Sequence, residues 1–256
     1  MSLAIFYSFI RASIIRSMRY RFDFVMSLLE GLSMLLINIV FFYTSAQLMA
    51  PDDQIDLYLL APVFQVFVGI FYGLFIDNIT GLKYYINRGD LDWMLLKPVN
   101  SQVYISLRFI NLGHIVSGLL AIPIIVMTTS AYGIVVRFSD WFVACVYILI
   151  AVIDGYSLLT TTTSIAIAKT ASGNVSGFIL PLISMGKYPR RIYDRIGPFM
   201  VIALPCLVLC DYSMNAIKGA WHITEVLLHI AIMVGQLWIT CKVFRASCCK
   251  YKSTGS

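Results

Sequence analysis

Long apolar stretches separated by short polar connections dominate the chain. Six of them occur, at roughly residues 23–46, 57–80, 103–132, 139–168, 196–215 and 220–241. They reach the length of about 20 residues that a bilayer requires and lack the alternation of barrel strands, so we predict six transmembrane helices. The fifth stretch is the weakest, because Pro198 and Pro205 interrupt it. A longer element that starts near Ser176, or a re-entrant hairpin, is the alternative there.

The composition strengthens this interpretation. Of the 256 residues, 59% are hydrophobic and 12% are charged, and the mean hydropathy is +0.83. Soluble domains carry about 25% charged residues. Because helices and closed barrels alone satisfy their backbone groups in hydrocarbon, we predict an all-α integral membrane protein, organised as one transmembrane domain over residues 1–256.

The basic residues fall on alternate connections and predict the orientation. All but two of the 19 lysines and arginines lie in the N-terminal segment, the 81–108 and 169–195 connections, or the C-terminal tail. The opposite connections hold only Arg137 and Lys218. By the positive-inside rule, both termini are predicted to be cytoplasmic, which requires an even number of spans. The net charge of +6 therefore reflects membrane orientation, and no nucleic-acid partner is predicted.

The first 22 residues mix apolar and basic positions. This pattern predicts a helix that lies in the cytoplasmic interface of the bilayer before the first span.

The chain lacks the motifs of the common catalytic and metal sites. The sequence contains no GxxxxGK[ST] phosphate loop, no HExxH and no GxSxG, and its three histidines and six cysteines follow no metal-ligand spacing. We therefore expect a protein that is not an enzyme and that binds no metal or cofactor itself.

Polar side chains inside the predicted spans are the candidates for substrate contact. Glu30 lies in the first span, and Asp154 lies in the fourth, ahead of a hydroxyl-rich run that includes Thr161. Ionisable groups cost several kcal/mol in hydrocarbon unless they are paired or hydrated. Two interpretations stay open: these residues contact a polar substrate group or relay protons, or they form hydrogen bonds between helices.

A charged segment, YYINRGDLDWMLLKPVNSQ at residues 84–102, interrupts the apolar pattern between the second and third spans. Gly89 allows a sharp turn, Asp90 is a good N-cap, and Asp92 suits the first helical turn. Pro98 disfavours helix at the residue before it. The segment thus predicts a helix over residues 90–97, about 12 Å long.

Leu91, Met94 and Leu95 share one face of this predicted helix at i, i+3, i+4 spacing. The helix has two interpretations that spacing does not separate. In the first, the apolar face lies on lipid and Trp93 belongs to the aromatic belt of the membrane interface. In the second, the helix is a rigid contact surface for a cytoplasmic partner.

The string RGDLDWMLLKPV resembles the hallmark segment of the bacterial ABC-2-type permeases, which reads approximately Gly-Asp/Glu-Leu-Asp-x-x-Leu-Leu-Lys/Arg-Pro after the second span. Tyr188-Pro189 ahead of an apolar segment, and the closing YKSTGS, are similar to further motifs of that family in order and position. The likeness covers nearly the whole chain. The 170–195 region departs from it by being short and strongly basic.

The resemblance implies a six-span permease subunit of an ABC transporter of the bacterial cytoplasmic membrane, most often an exporter. It implies pairing with a second copy or a sister permease, and two separate ATPase subunits that hold ATP and Mg. The segment between spans two and three would be the coupling helix that docks on the ATPase, and residues 1–22 the family's elbow helix. By this resemblance the coupling role falls on Gly89, Asp90, Leu91, Asp92, Trp93, Leu95, Leu96, Lys97 and Pro98.

An ion-coupled carrier or lipid scramblase that works without an ATPase, using Glu30 and Asp154, is the first alternative function, and a non-transporting assembly or sensor subunit is the second.

Overall fold

The chain forms a bundle of helices in the computed structural model, which describes residues 3–47, 51–168, 175–189 and 205–250. No strand occurs in these ranges. The α-helices are α1 Leu3–Arg19, α2 Arg21–Ala46, α3 Pro51–Phe71, α4 Asp77–Thr80, α5 Leu82–Arg88, α6 Asp90–Leu95, α7 Ser101–Leu107, α8 Leu112–Leu119, α9 Ile122–Ala131, α10 Phe138–Ala168, α11 Val175–Ser184, α12 Cys206–Ile217 and α13 Ile223–Lys250. A π-helical turn, Tyr72–Ile76, joins α3 to α4, and a 3-10 turn, Met185–Lys187, follows α11.

Five helical segments among these residues are long and apolar enough to cross a membrane: Arg21–Ala46, Gln54–Ile86, Leu112–Ala131, Phe138–Ile165 and Ile223–Lys250. They match five of the six stretches that hydropathy predicts. The prediction of an all-α membrane protein is therefore confirmed. No single helix of spanning length corresponds to the predicted fifth stretch within the described part of the chain.

The predicted third span was wrong at its start. Residues 101–107 form a separate helix, α7, and the spanning helix begins only at Leu112. Between them, the Asn78 side chain pairs with the backbone of Phe109 in both directions: Nδ2 donates to the carbonyl at 2.6 Å, and Oδ1 accepts from the amide at 3.1 Å. The amide of Asn111 donates to the carbonyl of Gly73 at 2.7 Å. Because these polar groups are satisfied from the π-helical turn and α4, the chain can leave the helix here without orphaned backbone groups.

The contacts between the long helices define their directions. The α2–α3 pair is antiparallel, since Gln65 donates to the carbonyl of Gly31 and Tyr43 packs on Tyr58. The α10–α13 pair is parallel instead: Tyr147 packs on His229, and farther along both helices Thr161 bonds Thr240. When two neighbouring spanning helices run in the same direction, the chain that joins them must cross the membrane an odd number of times.

That joining chain includes α11 and α12. Helix α12 is antiparallel to α10, because Ser213 Oγ donates to the carbonyl of Ala144 and Trp221 Nε1 to Asp140. Its 12 residues span about 18 Å, or little more than half of a hydrocarbon core of about 30 Å. The predicted fifth stretch thus corresponds to a short helix in its second half, and its residues 196–204 lie outside the described ranges.

The prediction that Lys187 lies on the same side of the membrane as the 81–108 connection was wrong. Its ammonium lies 5.9 Å from the ring of Phe41, and Tyr188 packs against Phe42. These phenylalanines are in the last turns of α2, at the end of the bundle opposite the 81–108 connection. The basic residues 190, 191 and 195 lie outside the described ranges.

Small residues bring α2, α3 and α8 into close contact. A Cβ atom added at Gly31 of α2 would lie 2.1 Å from the Oγ of Ser117 on α8. One added at Gly113 of α8 would lie 2.0 Å from the Oγ of Ser27 on α2. Gly69 of α3 faces Gly118 of α8, where an added Cβ would lie 2.5 Å from the Gly118 Cα. In membranes, where apolar burial gives little driving force, such close backbone approach supplies the packing energy between helices.

We predict that Gly69→Ala destabilises the folded protein and that Gly235→Ala does not. The new methyl group at residue 69 would meet backbone atoms that cannot rotate away, whereas nothing lies within 4 Å of a Cβ at residue 235 of α13. The expected cost at residue 69 is about 1–3 kcal/mol, while the helical preference of alanine makes the change at residue 235 neutral or stabilising. Denaturant titration of the detergent-solubilised chain measures both, and equal midpoints would contradict the packing described.

Candidate functional site

The charged connection between the second and third spans folds into three short helices, α5, α6 and α7. Gly89 joins the first two with a left-handed backbone, φ +73°, a conformation that favours glycine. Asn100 begins α7 by accepting hydrogen bonds from the amides of Gln102 and Val103. The exposed Pro98 lies in the turn between α6 and α7.

Helix α6 differs in two details from the predicted helix over 90–97. It covers Asp90–Leu95, and Gly89 occupies the cap position, with no side-chain cap bond. The prediction of Asp90 as N-cap was wrong, because the left-handed Gly89 ends α5 and begins α6 at the same residue. Asp90 and Asp92 lie instead in the first turn of α6, where the helix dipole favours negative charge. The six residues span about 9 Å.

The inner face of α6 is buried against protein. Leu91 is 1% exposed and Met94 is 6% exposed, and both belong to an apolar cluster with Leu82, Ile105 and Phe244. Leu95 is half-buried at its edge. The predicted apolar face is thus confirmed, but the interpretation that it rests on lipid was wrong. Since Leu91 is enclosed, it supports α6 from within.

Phe244 connects α6 to a helix that is distant in sequence. It lies near the end of α13, and Cys248, one turn farther on, packs against the same cluster. The guanidinium of Arg108 lies 4.3 Å from the Tyr85 ring and donates to the sulfur of Met94 at 3.6 Å. Helix α6 is therefore held from α5, α7 and α13 together.

Large apolar side chains on the outer face of α6 are not covered by the rest of the described chain. Trp93 is 74% exposed and Leu96 is 77% exposed, one helical turn apart. Lys97 beside them donates to the hydroxyl of Tyr104 at 2.6 Å, with its ammonium 4.3 Å from that ring. On the other side, Arg88 contacts Asp90 at 4.0 Å and bonds the Tyr84 hydroxyl. An exposed tryptophan and leucine with a positioned charge have the features of a protein-binding surface.

Helix α1 packs against the same end of the bundle. The hydroxyl of Ser13 accepts from the amide of Ile110 at 2.9 Å, and Phe9 contacts Tyr104 edge-on at 5.9 Å. Arg16 lies over the ring of Phe109. The N-terminal helix thus contacts the break before α8 and the last helix of the charged connection.

Glu30, Asp154 and Thr161 occupy separate places. The Glu30 side chain is 64% exposed on α2, and its carboxylate lies 3.9 Å from Nε2 of the buried His114. Asp154 is fully buried within α10, and neither carboxylate oxygen has a hydrogen-bond partner. Thr161 bonds Thr240 across the α10–α13 contact at 2.9 Å. Among the described residues, no contact joins Glu30 to Asp154.

Sequence reasoning missed Asn78 and Phe244. Asn78 gave a signal, as an amide inside an apolar stretch, whereas Phe244 is an ordinary apolar residue near the end of a predicted span. Its partner Leu91 lies more than 150 residues away, and single-sequence periodicity does not report contacts at that separation.

The comparisons with known proteins point to one family. Residues 25–255 match the family described as ABC-2 family transporter protein. No curated protein and no solved structure matches the chain.

We predict that Phe244→Ala loosens α6 without disturbing the rest of the bundle. Loss of a buried phenylalanine costs about 3 kcal/mol, so the helix-bonded amides of residues 93–96 should exchange their hydrogens about 100-fold faster. Hydrogen-exchange mass spectrometry of the purified chain measures this, with α8 as an internal reference. The matched control Phe138→Ala removes a ring that is 87% exposed and should leave α6 unchanged; unaltered exchange in the Phe244 variant would contradict the described support.

Proposed function

Because the chain belongs to the ABC-2 family of transporter membrane proteins and is the permease component of an ABC transporter, we propose that α6 is its contact with a separate ATP-hydrolysing subunit. The observation that carries this proposal is the division of α6 into two faces. Leu91 and Met94 fix the helix to the bundle, while Trp93 and Leu96 remain exposed at one end of it. Both sets belong to the segment that resembles the family's coupling motif.

The contacts that hold α6 against α5, α7 and α13 indicate how a displacement of α6 would pass into the bundle. A force on Trp93 and Leu96 reaches Phe244 through the buried face and then moves α13, which runs alongside α10. The same force reaches the second span through α5. Coupling of this kind requires two arrangements of the helices whose balance shifts with the nucleotide state of the partner. A short helix packed on three sides transmits such a displacement better than a loop.

The assembly that we propose contains two ATPase subunits, each with ATP and Mg, and a second permease, either another copy of this chain or a sister chain. The exposed carboxylate of Glu30, within a span, supports a covered or hydrated α2 face in the assembly, since a charge in contact with lipid costs several kcal/mol. Export is the proposed direction, from the family likeness. The exporter would reside in the bacterial cytoplasmic membrane.

The proposed topology has six crossings and cytoplasmic termini, with α1 as the interfacial elbow helix. Its support is the parallel orientation of α10 and α13, which requires an odd number of crossings between them. We assign that crossing to the chain that contains α11 and α12.

The alternative of an ion-coupled carrier or scramblase has less support. It uses Glu30 and Asp154 together, and the described contacts place these carboxylates on different helices with different neighbours.

We predict that the double variant Trp93→Ala, Leu96→Ala loses binding of the ATPase subunit that co-purifies with the tagged chain. Removal of two central apolar contacts typically costs at least 2 kcal/mol of binding energy, or about a 30-fold loss of affinity. Trp238→Ala is the matched control, since Trp238 is also exposed, at 59%, but lies in α13. Quantitative co-purification and ATP-dependent transport measure the effect. Retention of the ATPase by the double variant would exclude α6 as the main contact.

We also predict the result of topology fusions. Alkaline phosphatase, which is active only outside the cytoplasm, should be active when fused after Val135 or Ala220 and inactive when fused after Leu96 or Lys250. Enzyme activity in a bacterial host, normalised to the amount of fusion protein, reports each position. An inactive fusion after Ala220, with an active one after Val135, would contradict the crossing assigned between α10 and α13.

A further inference from the structure

A groove of about 270 Å³ lies between α10 and α13. Five of its seven lining residues are polar but uncharged: Ser157, Thr161, Thr162, Gln236 and Thr240. Leu158 and Ile239 complete it. Such a concentration of hydroxyl groups at the surface of two spanning helices is unusual, because a lipid-facing position favours apolar side chains.

The hydroxyl protons in this groove are already in use. Ser157 and Thr162 donate to the carbonyls one turn earlier in α10, at 2.9 and 2.8 Å. Thr240 donates to the carbonyl of Gln236 at 2.9 Å, which leaves Thr161 as the donor in its 2.9 Å bond with Thr240. Ser157 and Thr240 are buried, whereas Thr161 and Thr162 are partly exposed and offer acceptor lone pairs to the groove. A ligand that donates hydrogen bonds fits these acceptors.

The charge of the lining narrows the ligand further. None of the lining residues is an Asp, Glu, Lys or Arg. A charged ligand would therefore find no counter-ion here and would lose hydration energy on binding. Hydroxyl groups, which donate hydrogen bonds and carry no charge, meet both conditions.

Two neighbouring residues place the groove at the level of lipid headgroups. The ammonium of Lys242 lies 3.7 Å from the ring of Trp238, and these two residues flank Ile239 and Thr240 in sequence. Tryptophan and lysine are typical of the boundary between hydrocarbon and water. From this level, exposed apolar residues such as Val234 continue along α13 toward the bilayer centre and offer a path for acyl chains.

We propose that the α10–α13 groove binds the uncharged, hydroxyl-rich headgroup of a glycolipid. Thr161 and Thr162, whose side chains are partly exposed, accept hydrogen bonds from the sugar hydroxyls, and the acyl chains lie along the exposed face of α13. In the topology proposed above, this end of α13 lies at the cytoplasmic leaflet; that placement rests on the proposed topology, whereas the binding chemistry does not.

Native mass spectrometry of the purified, delipidated chain tests this proposal with three lipids that carry identical oleoyl chains. Monoglucosyl diacylglycerol has neutral hydroxyl donors, phosphatidylglycerol has hydroxyl donors on an anionic headgroup, and phosphatidylcholine has no donor. The glucosyl lipid should bind about tenfold more tightly than phosphatidylcholine, the factor expected for one or two hydrogen bonds. Phosphatidylglycerol should bind more weakly than the glucosyl lipid.

The double variant Thr161→Val, Thr162→Val keeps the side-chain shape and removes the two accessible acceptors. It should lower the affinity for the glucosyl lipid about tenfold, to that for phosphatidylcholine, and leave phosphatidylcholine binding unchanged. Thr128→Val is the matched control in α9; its hydroxyl bonds the carbonyl of Ile124, outside the groove, and both lipids should bind as before. If the double variant does not fold, Thr162→Val removes one acceptor and should give a smaller loss.

Equal binding of the three lipids, or an unchanged affinity of the groove variants for the glucosyl lipid, would overturn the proposal. A loss of dimer in the same spectra, without a change in lipid binding, would overturn it as well and would identify the groove as a contact with a second copy. These readouts do not involve Trp93, Leu96 or an ATPase subunit. Their failure is therefore distinguishable from failure of the proposed coupling role.

Discussion

Phe244 lies near the end of the last helix and packs against Leu91 and Met94 on the inner face of α6. Without this contact, α6 would be a short helix held only by its two neighbours in sequence, and six residues do not form a stable helix alone. With it, the charged connection becomes part of the bundle. The exposed pair Trp93 and Leu96 then has a fixed direction, which a partner surface can recognise.

The same end of the bundle depends on satisfied backbone groups. The chain leaves its helix between α7 and α8, and Asn78 supplies both a donor and an acceptor to Phe109. Helix α1 adds a further acceptor through Ser13. These contacts join α1 and the second span to the chain that links α6 to the third span, so a displacement of α6 has more than one route into the membrane.

Hydropathy alone predicted most of the spans, because the cost of exposing polar backbone or side chains in hydrocarbon acts on each segment independently. The periodicity of Leu91 and Met94 likewise identified the buried face of α6. The sequence did not reveal what covers that face, since Phe244 is one of many apolar residues in α13. The break between α7 and α8 depends on Asn78, a partner about 30 residues away. Hydropathy missed this break for the same reason.

The position of Lys187 shows where a statistical rule fails. The positive-inside bias is counted over whole connections, and residues 169–195 read as one basic connection. In the structure, part of that stretch is helical and carries Lys187 to the Phe41 end of α2. Glu30 and Asp154 show a second limit of sequence analysis. Their positions inside apolar stretches marked them as unusual, but only the fold reveals that Glu30 is exposed beside His114 and that Asp154 is enclosed.

Site-specific photocrosslinking of the assembled transporter tests the coupling role of α6 most directly. A benzophenone side chain at residue 93 should crosslink to the ATP-binding subunit, and one at residue 132, at the opposite end of the bundle, should not. Crosslinks from residue 93 to lipid alone, in a complex that retains its ATPase, would contradict the account.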